Sequence, residues 1–205
     1  MKKTSTELSP AKRAQILGGA SQVFSELGYE RASVDQIAAR AGVSKATVYN
    51  HFEDKKALFL ACFSEGITAM EDQLNALLDT PTGNLERDLQ QIGEALLRLI
   101  LSPVLVKRYL VFAAQADQFP ELGEELFEQG VWSGYQRMAR YLERASAAGD
   151  LRFDDSLEAA IDFCSLCTGD FSIRVELAMR EGLEEARLQA RVSRAVRVFL
   201  KCYRA

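Results

Sequence analysis

Between Ser33 and Lys55 the chain reads SVDQIAARAGVSKATVYNHFEDK, and one side of its second half gathers polar groups of one kind. Lys45, Thr47, Tyr49, Asn50 and His51 bring an ammonium, a hydroxyl, a phenol, an amide and an imidazole. Donors and flat rings of this sort suit phosphate oxygens and the edges of bases. Lys45 and Thr47 are expected to reach base edges. Tyr49, His51 and Lys55 are expected to position on phosphates, with Ser33 and Ser44 adding phosphate contacts and Ala46 allowing close approach to the groove floor. Enzymatic chemistry has much less to stand on. The one histidine is His51, and the chain has no Gly-x-Ser-x-Gly elbow, no Gly-rich phosphate loop ending in Lys-Ser/Thr and no Gly-x-Gly-x-x-Gly. Neither a cofactor nor a metal is expected. Cys164 and Cys167 share one side of a helix. Two thiols with no histidine nearby do not make a four-ligand zinc site, so they are expected as buried packing residues, with a redox pair as the alternative.

The elements that must position the polar face are two short helices and a tight turn. Ser33 caps the first, and Gln36 three residues on completes a capping box. Val34, Ile37, Ala38 and Ala41 recur at helical spacing. Gly42 supplies a left-handed turn position, Val43 plugs the angle, and Ser44 caps the second helix. Val48 and Phe52 point inward from that helix, whose width fits the major groove of DNA. Ser9-Pro10 opens an earlier helix that Gly28 ends, carrying Ile16, Ala20, Val23, Phe24 and Leu27 toward Ile37, Ala41 and Phe52. A long helix from about Asp54 to Leu78 follows.

The remainder reads as helices: Leu85–Leu101, Pro103 to about Gln118, Glu121 to about Ala147, Asp154 or Asp155 to about Arg180, and Leu183–Tyr203. Only Leu151-Arg152-Phe153 alternates briefly like a strand. The expected fold is all-α, with a three-helix head over 1–56 and a larger helical body over 57–205. At 205 residues and 48% hydrophobic content the chain can bury a sizeable core. No apolar run nears the ~20 residues of a membrane helix, and no export signal opens the chain. A soluble cytoplasmic protein with free thiols is expected. Net charge is −4 overall. Residues 1–56 hold nine Lys/Arg against six Asp/Glu, +3, while the rest holds 16 against 23, −7. A basic head on an acidic body is the charge pattern of a DNA-binding chain.

GVSKATVYNHFEDKKALF, with the helix from Pro10 to Gly28 ahead of it, closely resembles the DNA-binding domain of the TetR/AcrR family of one-component transcriptional regulators. Thr-Val-Tyr-x-His-Phe followed three residues later by Lys is its most specific part. Phe119-Pro120-Glu121-Leu122 and Gly149-Asp150-Leu151-Arg152 resemble more loosely the C-terminal domains of an AefR-like subgroup. The resemblance implies a ligand-responsive regulator, most often a repressor, that binds a palindromic operator as a homodimer and leaves it when a small molecule binds. It implies that the last two helices meet their symmetry mates. Their apolar seams are Leu157, Ala160, Cys164, Cys167 and Phe171, then Leu188, Val192, Ala195 and Phe199; packing within one subunit is the alternative. It further implies an effector cavity in the body, for which Phe59, Phe63, Met70, Phe112, Trp132, Tyr135, Met138 and Phe163 are the apolar candidates. Asp162 and Asp170 are the polar ones, with salt bridges to the arginines of the last helix as the alternative. The partners expected are double-stranded DNA, a second copy and an unidentified effector. A constitutive DNA-binding protein and a protein-interaction module are the rival readings.

Overall fold

The computed structural model describes residues 9–64, 68–114, 120, 123–124, 127–177 and 184–205. Within helices, the side chains of Phe63, Met70 and Phe112 also lie outside the described set. The chain divides into two compact units, Met1–Gly66 with Val111–Leu122, and Ile67–Leu110 with Gly123–Ala205.

In the first unit, α1 (Pro10–Arg31) is interrupted at Gly28, whose φ is 75°. Ser9 starts it through its backbone carbonyl, and its hydroxyl makes no capping bond, contrary to expectation. Next come α2 (Val34–Ala41), α3 (Lys45–His51) and α4 (Lys55–Ser64). α1 packs on α2 and α4, and α2 on α3. Ile16, Ala20 and Phe24 of α1 close on Ile37 of α2, Val48 of α3, and Leu58 and Phe59 of α4, all nearly or fully buried. The expected boundary after residue 56 falls inside this core. α4 adds Leu58, Phe59, Ala61 and Cys62 to it because three short helices alone bury little apolar surface.

The second unit holds α5 (Thr68–Asp79), α6 (Leu85–Ile100) and, through Leu110, most of α7 (Pro103–Ala113). A π-helical turn, Phe127–Trp132, leads into α8 (Ser133–Ala147). α9 (Ser156–Thr168), α10 (Phe171–Glu176) and α11 (Glu185–Tyr203) complete it. Its core runs through Leu89, Ile92, Leu97, Leu142, Phe163, Val192 and Phe199. Asn84 caps α6 and Asp155 caps α9 with side-chain oxygens, as the turn-rich sequence ahead of each suggests. The expected strand-like trio makes a single antiparallel bridge, Leu151 to Arg204, with Arg152 N–H donating to the Tyr203 carbonyl at 2.8 Å.

Two expectations fail here for physical reasons. The helix expected from Asp155 to about Arg180 breaks at Gly169, φ 50°; residues 178–183 lie outside the described residues. That φ strains any side chain, and the Arg191 guanidinium lies where a Cβ on residue 169 would go, its nearest nitrogen 1.2 Å from that point, so it would have to swing aside. Second, the expected dimer seams are interior. Ala160, Cys167, Val192 and Phe199 are fully buried in one chain, Cys164, Phe171, Leu188 and Ala195 nearly so, and half-buried Leu157 packs on the same core. Helical periodicity marked an apolar face correctly. Within one chain the face closes against α6 and α8 and between α9 and α11, with Leu157 still half-exposed.

Candidate nucleic-acid interface

The turn that aims α3 is built from three local devices. The Ser33 hydroxyl accepts the Gln36 N–H at 3.2 Å, and Gln36 Oε1 accepts the Ser33 N–H at 2.9 Å, a complete capping box. Gly42 takes φ 63°, and the Gly42 and Val43 N–H groups donate to the Ala39 and Ala38 carbonyls, ending α2. Ser44 Oγ then accepts the Thr47 N–H at 3.0 Å to open α3. One long-range bond fixes the turn on α1: Gln15 Nε2 donates to the Ala41 carbonyl at 2.6 Å. Arg40 grips Glu26 with both terminal nitrogens at 2.8 and 2.9 Å, binding α2 to α1 on the flank. That pair holds the Glu26 carboxyl below its usual range, through the hydrogen bond first.

With Val48 and Phe52 buried, α3 turns Lys45, Ala46, Tyr49 and Asn50 outward. Tyr49 is 48% exposed. Ser44 and Thr47 share a 2.7 Å hydroxyl contact at the lip of the helix. His51 is half-buried, and its Nδ1 meets no hydrogen-bond partner among the described residues. The Lys45 ammonium donates to Asp35 Oδ2 at 2.8 Å.

Lys55 departs from the role expected of it. Its ammonium donates to the carbonyls of Tyr29, Glu30 and Ala32 at 2.9, 3.3 and 3.1 Å and lies 4.4 Å from the centre of the Tyr29 ring. All three protons are spent on the orphan carbonyls at the end of α1, where a cation is favoured by the helix dipole. It ties α4 to α1. The Ser33 and Ser44 hydroxyls accept their cap N–H groups. Sequence reading missed Asp35, Gln15 and Tyr29, whose partners lie 10, 26 and 26 residues away. No local pattern signals such pairs.

Of the expected effector residues with described side chains, Tyr135, Met138 and Phe163 share the body core, and Phe59 lies in the first unit. The Phe59 ring is edge-on to Phe24 at 4.8 Å and to Tyr29 at 4.9 Å. It therefore belongs to the head core. Phe163 is fully buried, T-shaped against Phe199 at 5.3 Å, and Met138 is 3% exposed in the same core. Tyr135 packs half-buried on that core, and half-buried Trp132 faces Phe127 at 6.2 Å. Asp162 is exposed and accepts the Tyr203 hydroxyl at 2.6 Å, which pushes that phenol up to about 12. Asp170, also exposed, accepts Arg174 Nε at 2.7 Å, one turn along its own helix rather than from the last one. Phe63, Met70 and Phe112 lie outside the described side chains. Cys164 and Cys167 are buried, and burial pushes both thiols up to about 12. No metal-holding cluster exists among the described residues. No helix among them is long and apolar enough to cross a membrane.

Comparison with known proteins meets this geometry at both ends of the chain. Residues 16–62 match the family described as bacterial regulatory proteins, tetR family. Residues 87–205 match the AefR-like transcriptional repressor, C-terminal domain. The transcriptional repressor AcnR of Corynebacterium glutamicum is 30% identical over 84% of this chain and 87% of its own length. The transcriptional activator FasR of Mycolicibacterium smegmatis is 41% identical over 37% of this chain, and the match spans only 35% of that protein. Among solved structures, the flavonoid-responsive regulator FrrA superposes with a TM-score of 0.84 at 30% identity, over 96% of this chain and 98% of its own.

Proposed function

Since the chain belongs to the TetR family of bacterial transcriptional regulators, we propose that it is a ligand-responsive repressor, binding a palindromic operator in the cytoplasm as a homodimer. One observation carries the proposal. α3 is capped, anchored and buried on one side, and its other side offers Lys45, Ala46, Tyr49 and Asn50 to solvent. Lys45, Thr47 and Asn50 read base edges, Tyr49 and His51 position on phosphates, and Ala46 lets the helix sit close. A single helix of seven residues reads too few base pairs for useful selectivity. Two copies with recognition helices about 34–36 Å apart would read successive major grooves.

The dimer face then lies on the outward sides of α9, α10 and α11, beyond the closed seams. Ile173 at 58%, Leu177 at 65% and Val198 at 36% exposure are the apolar residues available there. Effector binding in the body shifts the population toward a head spacing that misses the half-sites. The whole-length likeness to a repressor supports the sign of regulation. The likeness to a flavonoid-responsive regulator supports a small organic effector.

The test is anisotropy binding to duplexes recovered from a random-sequence pool, with wild type and Lys45→Ala/Tyr49→Ala. Selective binding that the variant loses is the expected result. Recovery of no enriched duplex would overturn the reading. Ile173→Lys/Leu177→Lys, followed by sedimentation, checks the dimer face: the expected outcome is monomer.

A further inference from the structure

The polar face of α3 carries a carboxylate it does not obviously need. Asp35, in the first turn of α2, reaches across to Lys45, the first residue of α3, and takes its ammonium at 2.8 Å. Both side chains stand well out in solvent, 68% and 52% exposed. Lys45 is the sole lysine or arginine of α3. The Lys45 pKa is raised, by the hydrogen bond to Asp35 first and its charge second.

A surface built only for phosphate affinity would not place a carboxylate here. Anion repels anion, and each lysine withheld from a phosphate removes one unit of counterion release. The first turn of α2 favours a carboxylate through the helix dipole, but that leaves unexplained why this one reaches across to α3 and takes Lys45 at 2.8 Å. The neighbouring cations are also occupied. Arg40 is held bidentate by Glu26, Arg31 donates to the Leu27 carbonyl, and Lys55 is held by three carbonyls. Of these three, only Arg40 meets a carboxylate, and the head stays formally +3 over residues 1–56.

We propose that Asp35 is a specificity-determining residue, holding the Lys45 ammonium off phosphates on non-cognate DNA and yielding it to a base edge on the cognate site. The inference rests on α3 being the reading helix. Its physics is an exchange. An exposed ion pair is weak, so a base acceptor in the right place replaces the carboxylate at little cost. A phosphate must do so while approaching the carboxylate's own negative charge. The gain on cognate DNA is then larger than the gain on any other DNA, which is what selectivity requires.

The experiment uses the full-length protein, the duplex recovered from a random-sequence pool by the wild type, and a scrambled duplex of equal composition. Wild type, Asp35→Asn, Asp35→Glu, Lys45→Met and Asp35→Asn/Lys45→Met are titrated across a range of salt. Asp35→Asn is expected to bind the scrambled duplex more tightly, with its log K against log salt slope steeper by about 0.9. Its preference for the recovered duplex should fall severalfold. Asp35→Glu should keep the wild-type preference, and in the Lys45→Met background the Asn substitution should leave the slope where it was. An Asp35→Asn protein with the wild-type slope and preference overturns the proposal while the reading of α3 stands. So does an equal loss on both duplexes, which is what a damaged α2 start would give. A pool that enriches no duplex with the wild type overturns both.

Discussion

The head and the body of this molecule spend their polar groups in opposite ways. Around α3 the framing groups bond inside the head: Ser33 with Gln36, Ser44 with Thr47, Lys45 with Asp35, Lys55 with the end of α1. The result is a rigid frame around one helix face that is left open. In the body the apolar seams of α9 and α11 meet inside the chain, and the few buried polar groups are consumed within it. Asp88, 4% exposed, takes the Thr82 N–H at 3.0 Å and the Thr82 hydroxyl at 2.5 Å. The difference separates two jobs. A surface that reads must be held without being covered, whereas a scaffold is held by being covered.

The sharpest break in that contrast is a cavity in the body. Phe163→Ala is expected to cost about 3–5 kcal/mol in denaturant unfolding, since the ring is fully buried against Phe199. A loss under 1 kcal/mol would mean the seam is not a core. Next is Lys55→Met, which keeps the stem and removes the ammonium. Three carbonyls lose a charged donor, so about 1–3 kcal/mol of stability should go while the salt slope of DNA binding stays put. A slope shallower by about one would return Lys55 to the phosphates. Ser33→Ala should cost about 1 kcal/mol through the capping box, and part of the DNA affinity with it. Tyr49→Ala should change stability by less than about 0.5 kcal/mol, as befits an exposed ring, yet weaken DNA binding strongly. Least of all, a disulfide reagent near neutral pH should modify only exposed Cys202 in the folded protein. Cys62, Cys164 and Cys167 are buried, and the last two are held protonated well above neutral pH. Rapid reaction at Cys164 or Cys167 would reopen a redox role.

What could be read from the sequence followed the range of the interactions. Ser33, Gln36, Gly42 and Ser44 act within three or four residues of themselves, so the turn and its two caps were legible. Helical periodicity found the apolar faces of α9 and α11. It says which side is greasy and nothing of what lies against it, so those residues were assigned to a second copy when α6 and α8 cover them. Lys55 fell to the same limit, because its acceptors lie 23 to 26 residues back and look from a distance like any other backbone. Among the candidates for an effector cavity, size and apolar character could not separate Phe59, held in the head by Phe24, from rings of the body.

The fit between Gly169 and Arg191 has a consequence for descent. Position 169 is bound by its backbone first, because a φ of 50° strains any side chain whatever stands at 191. The Arg191 guanidinium lies where a Cβ would go and can swing aside at the loss of its 3.3 Å bond to the Cys167 carbonyl. Lineages of this chain that keep the bend should thus keep glycine at 169 while 191 varies more freely, and relatives with a continuous helix should be the ones that carry a side chain at 169.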